Sequence, residues 1–76
     1  SDQAAANATL NQASPGQTAS WTNKQSNISY EMTPSEPYNK SGQTCRNYKT
    51  TAVIEGKPEF VTGSACKMPD GNWKTV

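Results

Sequence analysis

The 76-residue sequence predicts an α+β domain: a short N-terminal helix followed by a mainly antiparallel sheet of about five strands with one cross-strand disulfide. Three observations carry that expectation. An Ala-rich opening segment runs into Ser14-Pro15-Gly16, a strong stop for a helix. Beyond it, apolar and polar residues alternate with period two, the signature of half-buried strands. Further on, a stretch rich in Thr, Tyr, Val and Ile and a similar one after it flank Glu55-Gly56 and carry Cys45 and Cys66, the two cysteines of the chain. A chain this short makes one domain, 1–76, divided into a polar segment with a short helix (1–17) and a β-rich body (18–76). Such a domain buries only about 60% of the surface its unfolded chain exposes, so a covalent staple counts for much.

The helix is expected from about Gln3 to Gln12, with Asp2 as N-cap or first-turn acid. The Ala4-Ala5-Ala6 run has high helix propensity. An isolated helix of that length is marginal in water and needs a partner surface, offered through Ala6, Leu10 and Ala13. A polar leader of this composition that stays disordered is the alternative. After Gly16, Ala19 and Trp21 alternate with Thr and Ser; after Asn23-Lys24-Gln25-Ser26, Ile28, Tyr30 and Met32 do the same. These read as a hairpin whose second strand ends at Pro34 and Pro37, because proline cannot donate to a ladder. Ser35 to Gly42 reads as an irregular loop anchored by Tyr38.

Gln43–Ile54 and Lys57–Lys67 read as a second hairpin closed by the two-residue turn Glu55-Gly56. With Ile54 facing Lys57, stepping outward along both strands brings Cys45 directly opposite Cys66. Counted from a hydrogen-bonded pair at the turn, that position is a non-hydrogen-bonded one, where side chains approach most closely and a disulfide fits. A three-residue turn with a bulge would shift the register by one and part the cysteines. In this register Tyr48, Thr50, Ala52 and Ile54 share a face with Val61, Gly63 and Ala65, which is taken as the core face, and the Tyr48 ring covers the bare backbone of Gly63. Met68-Pro69-Asp70-Gly71-Asn72 is a type I turn with a Gly bulge. It returns the chain as a final strand, Asn72–Val76, in which Trp73 meets Lys67 and turns inward as a lid beside Ala65 and Tyr48.

Composition excludes several functions. Seven Lys and Arg stand against six Asp and Glu, giving a net charge of +1, with no His. No Ser-His-Asp or Cys-His catalytic pair can form. Two thiols without His cannot assemble a usual structural zinc site, so no metal or cofactor is expected. No basic stripe marks a nucleic-acid partner. No apolar run approaches the ~18–20 residues that cross a bilayer, and no signal-peptide core is evident.

Four stretches resemble the C-terminal domain of the bacterial outer-membrane surface antigen family typified by the rickettsial seventeen-kilodalton antigen. They are Gly16-Gln17-Thr18 with Trp21, Cys45-Arg46-Asn47-Tyr48, Gly63-Ser64-Ala65-Cys66, and Pro69-Asp70-Gly71-Asn72-Trp73. The resemblance runs from about Leu10 to Val76 and is most specific in its second half. It implies a non-enzymatic envelope or surface antigen domain of an outer-membrane lipoprotein with a structural or display role. It also implies an exported protein, on the periplasmic or surface side of the outer membrane, touching the membrane only through an N-terminal anchor outside this sequence. The implied partner is an envelope protein or other cell-envelope component. The competing reading is a periplasmic or secreted binding module, such as an enzyme inhibitor that plugs a cleft with the Ser35–Gly42 loop.

No base, nucleophile and orienting group can be named together, so no catalytic residue is assigned. Glu31, Glu36, Glu55, Glu59 and Asp70 read as solvated carboxylates rather than a facing glycosidase pair. Cys45 and Cys66 are assigned to a structural disulfide, since a redox pair would more typically show C-x-x-C spacing. A binding surface, if one exists, would draw on Trp21, Tyr38, Arg46 and Trp73, although aromatic residues in so small a domain more often form its core. Arg46, with Lys49 and Lys67, either forms a basic patch for lipid head groups or lipopolysaccharide, or lies over an aromatic ring, or pairs with a carboxylate.

Overall fold

The computed structural model describes all residues, Ser1–Val76. Helix α1 spans Asp2–Gln12, and the sheet consists of β1 (Ala19–Asn23), β2 (Ile28–Pro34), β3 (Tyr38–Lys40), β4 (Gln43–Ile54), β5 (Lys57–Lys67) and β6 (Trp73–Thr75). Ser1, rather than Asp2, caps the helix, its side chain accepting from the Ala4 N–H, and Asp2 sits in the first turn where its charge complements the helix dipole. The strands lie in the order β1-β2-β4-β5-β6, all antiparallel, with β3 beside β4 beyond the end of β2.

The β4–β5 register runs as expected, from Ile54↔Lys57 at the turn to Cys45↔Cys66 at the far end. Glu55 and Gly56 both take positive φ, 51° and 77°, the left-handed pair that a two-residue hairpin turn demands. The cysteines are bonded, with Cα atoms 4.0 Å apart. Both are buried, at 0% and 3% exposure. At about 3.3 Å per residue, the 12 residues of β4 account for the 40 Å long axis of the molecule.

The Ser35–Gly42 segment is not an irregular loop. Tyr38–Lys40 pairs with Gln43–Cys45 through a second left-handed turn, Ser41-Gly42, at φ 51° and 84°. Between Pro34↔Tyr48 and Tyr38↔Cys45, the three residues Ser35 to Pro37 oppose the two residues Arg46 and Asn47. That is a one-residue bulge, and it moves the chain from one pleat face to the other. Proline spacing hid this, because Pro34 and Pro37 end regular pairing without ending the strand's path. The final turn is as expected: Asp70 Oδ1 accepts from the Asn72 N–H and Gly71 sits at φ 88°. The strand after it is shorter, Trp73–Thr75, and places Trp73 opposite Lys67.

The helix crosses one face of the sheet, and Leu10, Met32 and Ala65 form the buried centre with Ala6, Trp21, Tyr48 and Trp73 around it. The face carrying Tyr48 and Ala65 is therefore the core face, but only at the end that the helix covers. Ile54 and Val61 on the same face are 40% and 56% exposed. An 11-residue helix is about 16 Å long and cannot cover a 40 Å strand. The opposite face is polar and solvated apart from the disulfide, Tyr38 and the exposed Val53 and Phe60.

Replacing both cysteines with Ala should lower unfolding free energy by about 2–5 kcal/mol in urea melts, and the native protein should show no titratable thiol under non-reducing conditions. At Gly63, a methyl group would come within 2.7 Å of the Tyr48 hydroxyl and 2.9 Å of its ring carbon. Gly63→Ala should therefore cost about 1–2 kcal/mol in the parent and markedly less in a Tyr48→Leu background, a non-additivity readable by double-mutant cycle.

Candidate functional site

Arg46 organises the disulfide end of the sheet. It points from β4 to the helix side and is only 3% exposed. Its Nε–H donates to the Ser35 carbonyl in the bulge at 2.8 Å, and Nη1 donates to the carbonyls of Leu10 at 2.9 Å and Ala13 at 2.8 Å. The last turn of α1 carries no basic residue of its own. Arg46 supplies from across the fold the positive charge and donors that a helix C-terminus lacks. Neither an aromatic ring nor a carboxylate is its partner; the three hydrogen-bonded acceptors are backbone carbonyls. Burial pushes the guanidinium below its ordinary pKa, yet a group that titrates so far above neutrality stays charged. Its Nη2 is buried without a partner.

Beside Arg46 lies a cleft of about 260 Å³ between the C-terminal end of α1, the bulge and β5, with Thr44, Lys67, Trp73, Pro15 and Pro37 in its walls. Trp73 is half-buried, packs against the core as a lid, and donates its indole N–H to Asn11 Oδ1 at 2.9 Å. Its backbone N–H is held by Asn7 Oδ1 at 3.0 Å. Of the four residues proposed for binding, Arg46 and Trp73 come together here. Trp21 lies at the other end of the helix, stacked on Tyr30 with ring centroids 5.4 Å apart, its indole N–H donating to Asp2 Oδ1 at 3.3 Å. There burial, and secondarily Asp2, pushes the Tyr30 phenol above its usual pKa. Tyr38 sits on the opposite sheet face, its hydroxyl donating to Asn47 Oδ1. Lys49 is also on that face, since it neighbours Arg46 at odd spacing along β4, so it cannot join Arg46 and Lys67 in one patch.

The solvated face carries a shallow trough of about 560 Å³ lined by Thr33, Asn47, Lys49, Thr62 and Ser64. Asn47 is its fixed point, accepting from Tyr38 and, at 2.6 Å, from Ser64. The carboxylates Glu31, Glu36, Glu55, Glu59 and Asp70 are all exposed and dispersed over the surface. Sequence reasoning missed the partners of Arg46, although one signal was present: a helix without a basic last turn, in a chain with a single arginine.

A family model described as 17 kDa outer membrane surface antigen matches residues 8–74. The chain is 40% identical over 68 residues to the 17 kDa surface antigen of Rickettsia bellii and to that of Rickettsia conorii, and 38% identical to that of Rickettsia prowazekii. In each case the match covers 88% of this chain and 43% of the relative, so the chain spans less than half the length of these relatives. No solved structure matches.

Arg46→Ala would leave three carbonyls unpaired and a hole under the helix terminus; it should cost about 3–5 kcal/mol in chemical denaturation. Trp73→Ala should cost about 3 kcal/mol, with loss of protection of the α1 amides in hydrogen exchange.

Proposed function

The chain belongs to the 17 kDa outer membrane surface antigen family, and from that premise we propose that it is the envelope-exposed domain of an outer-membrane lipoprotein, with a structural or display role and no catalytic one. A surface antigen role comes with the family. The structural or display reading is supported by the form of the free surface: an open, Thr- and Ser-rich sheet face with scattered carboxylates, which offers area for contact and no convergent acid, base and nucleophile. The buried disulfide supports export, since such bonds persist in oxidising compartments. In this reading a lipid anchor is carried by a segment N-terminal to Ser1. The helix start lies beside Trp21 and Asn23, at the end of the sheet that holds the β1–β2 and β4–β5 turns. An anchor there would hold the disulfide end and the Arg46 cleft away from the bilayer. The inhibitor reading loses its protruding loop, because Ser35–Gly42 is built into the sheet edge.

In the producing cell, the full-length protein should fractionate with the outer membrane and partition into detergent. Recovery in the soluble fraction would overturn the anchored reading. Glu55→Gln, Glu59→Gln and Asp70→Asn should leave any cellular phenotype intact, with at most about 1 kcal/mol lost at the Asp70 turn. Loss of phenotype in a variant that stays folded would instead point to a carboxylate-dependent activity.

A further inference from the structure

We propose that the open sheet face is a contact surface for a second copy of this chain, in a face-to-face pair whose two-fold axis runs beside Phe60 and sets Lys49 of each copy against Glu31 of the other. Phe60 is 75% exposed on that face, with Val53 diagonal to it at 36%. A lone exposed hydrophobe is ordinary on a protein surface. What distinguishes Phe60 is the hollow of about 340 Å³ beside it, walled by Glu31, Thr33, Lys49, Thr51 and Thr62. The two charged walls stand outside the side-chain hydrogen bonds of this face, which join Thr18 to Thr33, Thr22 to Ser29, and Asn47 to Tyr38 and Ser64.

The strand register makes this patch self-complementary. Glu31 pairs with Thr51 and Thr51 with Phe60, so Glu31 stands two strands from Phe60 in one cross-strand row. Lys49 pairs with Thr62, so it stands one strand across from Phe60 and two residues along. At ordinary sheet spacings those separations are about 10 Å and about 8 Å. Phe60 therefore lies close to the line equidistant from the two charges. In an isologous pair each residue meets the one mirrored across the axis. With the axis on that line, the two Phe60 rings meet beside it and fill the facing hollows, and Lys49 meets Glu31 of the other copy on both sides. The other routes to a pair are blocked, since α1 crosses the opposite face and Pro58 lacks the N–H that a strand added to the β5 edge would need. The patch spans three strands of a small domain and falls short of the ~800 Å² per partner of a stable interface, so a weak pair is expected, with a Kd on the order of 100 µM. This inference does not depend on where the domain is displayed.

The test is sedimentation velocity of the 76-residue chain from about 10 µM to about 1 mM, a range that brackets the expected Kd. The sedimentation coefficient should rise with concentration toward that of a dimer. Phe60→Ser, which removes an exposed ring, should keep the fold and abolish the rise. Val61→Ser makes a similar change on the helix side, at a residue 56% exposed, and should leave the rise unaltered. Lys49→Glu and Glu31→Lys should each weaken association at least ~10-fold, because like charges then face each other. Mixed one to one, these two variants should pair at least as tightly as the parent, since each meets the opposite sign at both contacts. Adding Phe60→Ser to both should abolish that pairing, which general charge attraction would survive. A chain that stays monomeric throughout, a mixture no tighter than its components, pairing of the mixture that persists without Phe60, or an equal loss with Val61→Ser would overturn the proposal.

Discussion

The left-handed turn at Glu55-Gly56 sets the register on which the rest of the domain depends. Because side chains alternate faces along a strand, a slip of β5 by one residue against β4 would carry Ala65 to the solvated side and separate Cys45 from Cys66. The turn holds one end of the long hairpin and the disulfide holds the other. In the chain-entropy account, a link across 21 residues contributes roughly 3 kcal/mol by restricting the unfolded chain. For a domain whose fully buried apolar centre is Leu10, Met32 and Ala65, with the disulfide alongside, that is a large share of the stability available.

Arg46 joins the two layers at the C-terminal end of the helix. Its donors reach the helix terminus and the β2–β3 bulge together, so one side chain fixes where the helix ends and where the strand switches face. The cost is a buried charge matched by dipoles alone. The same economy leaves the far corner uncovered: Phe60, Val61 and Ile54 stay exposed, and β5 has an open edge over Lys57–Gly63 where β6 does not reach. Lys57, Pro58 and Glu59 lie on that edge and discourage pairing with another chain.

The two faces divide the roles. The helix-covered face spends its side chains on packing, and Arg46, Lys67 and Trp73 meet in the cleft at its margin. The open face is broad and hydroxyl-rich and spans a sheet of six strands. The disulfide staples this sheet in few residues, and bonds of its kind persist in oxidising compartments.

Read alone, the sequence determined the local and pairwise features: the helix before Ser14-Pro15-Gly16, the two hairpins and the register of the second, the disulfide, the contact of Tyr48 with Gly63, and the position of Trp73 opposite Lys67. Each follows from short-range rules of turn chemistry, period and pleat, which act between residues close in sequence or tied by one register. Tertiary structure alone decided three matters. Tyr38–Lys40 became a strand because a bulge, invisible in a proline-interrupted segment, let it continue along β4. Ile54 and Val61 stayed exposed although their pleat face is the core face, because the extent of cover depends on where an 11-residue helix lands. Arg46 found its partners in carbonyls more than thirty residues away at the helix end, and such partners carry no side-chain signature in a sequence.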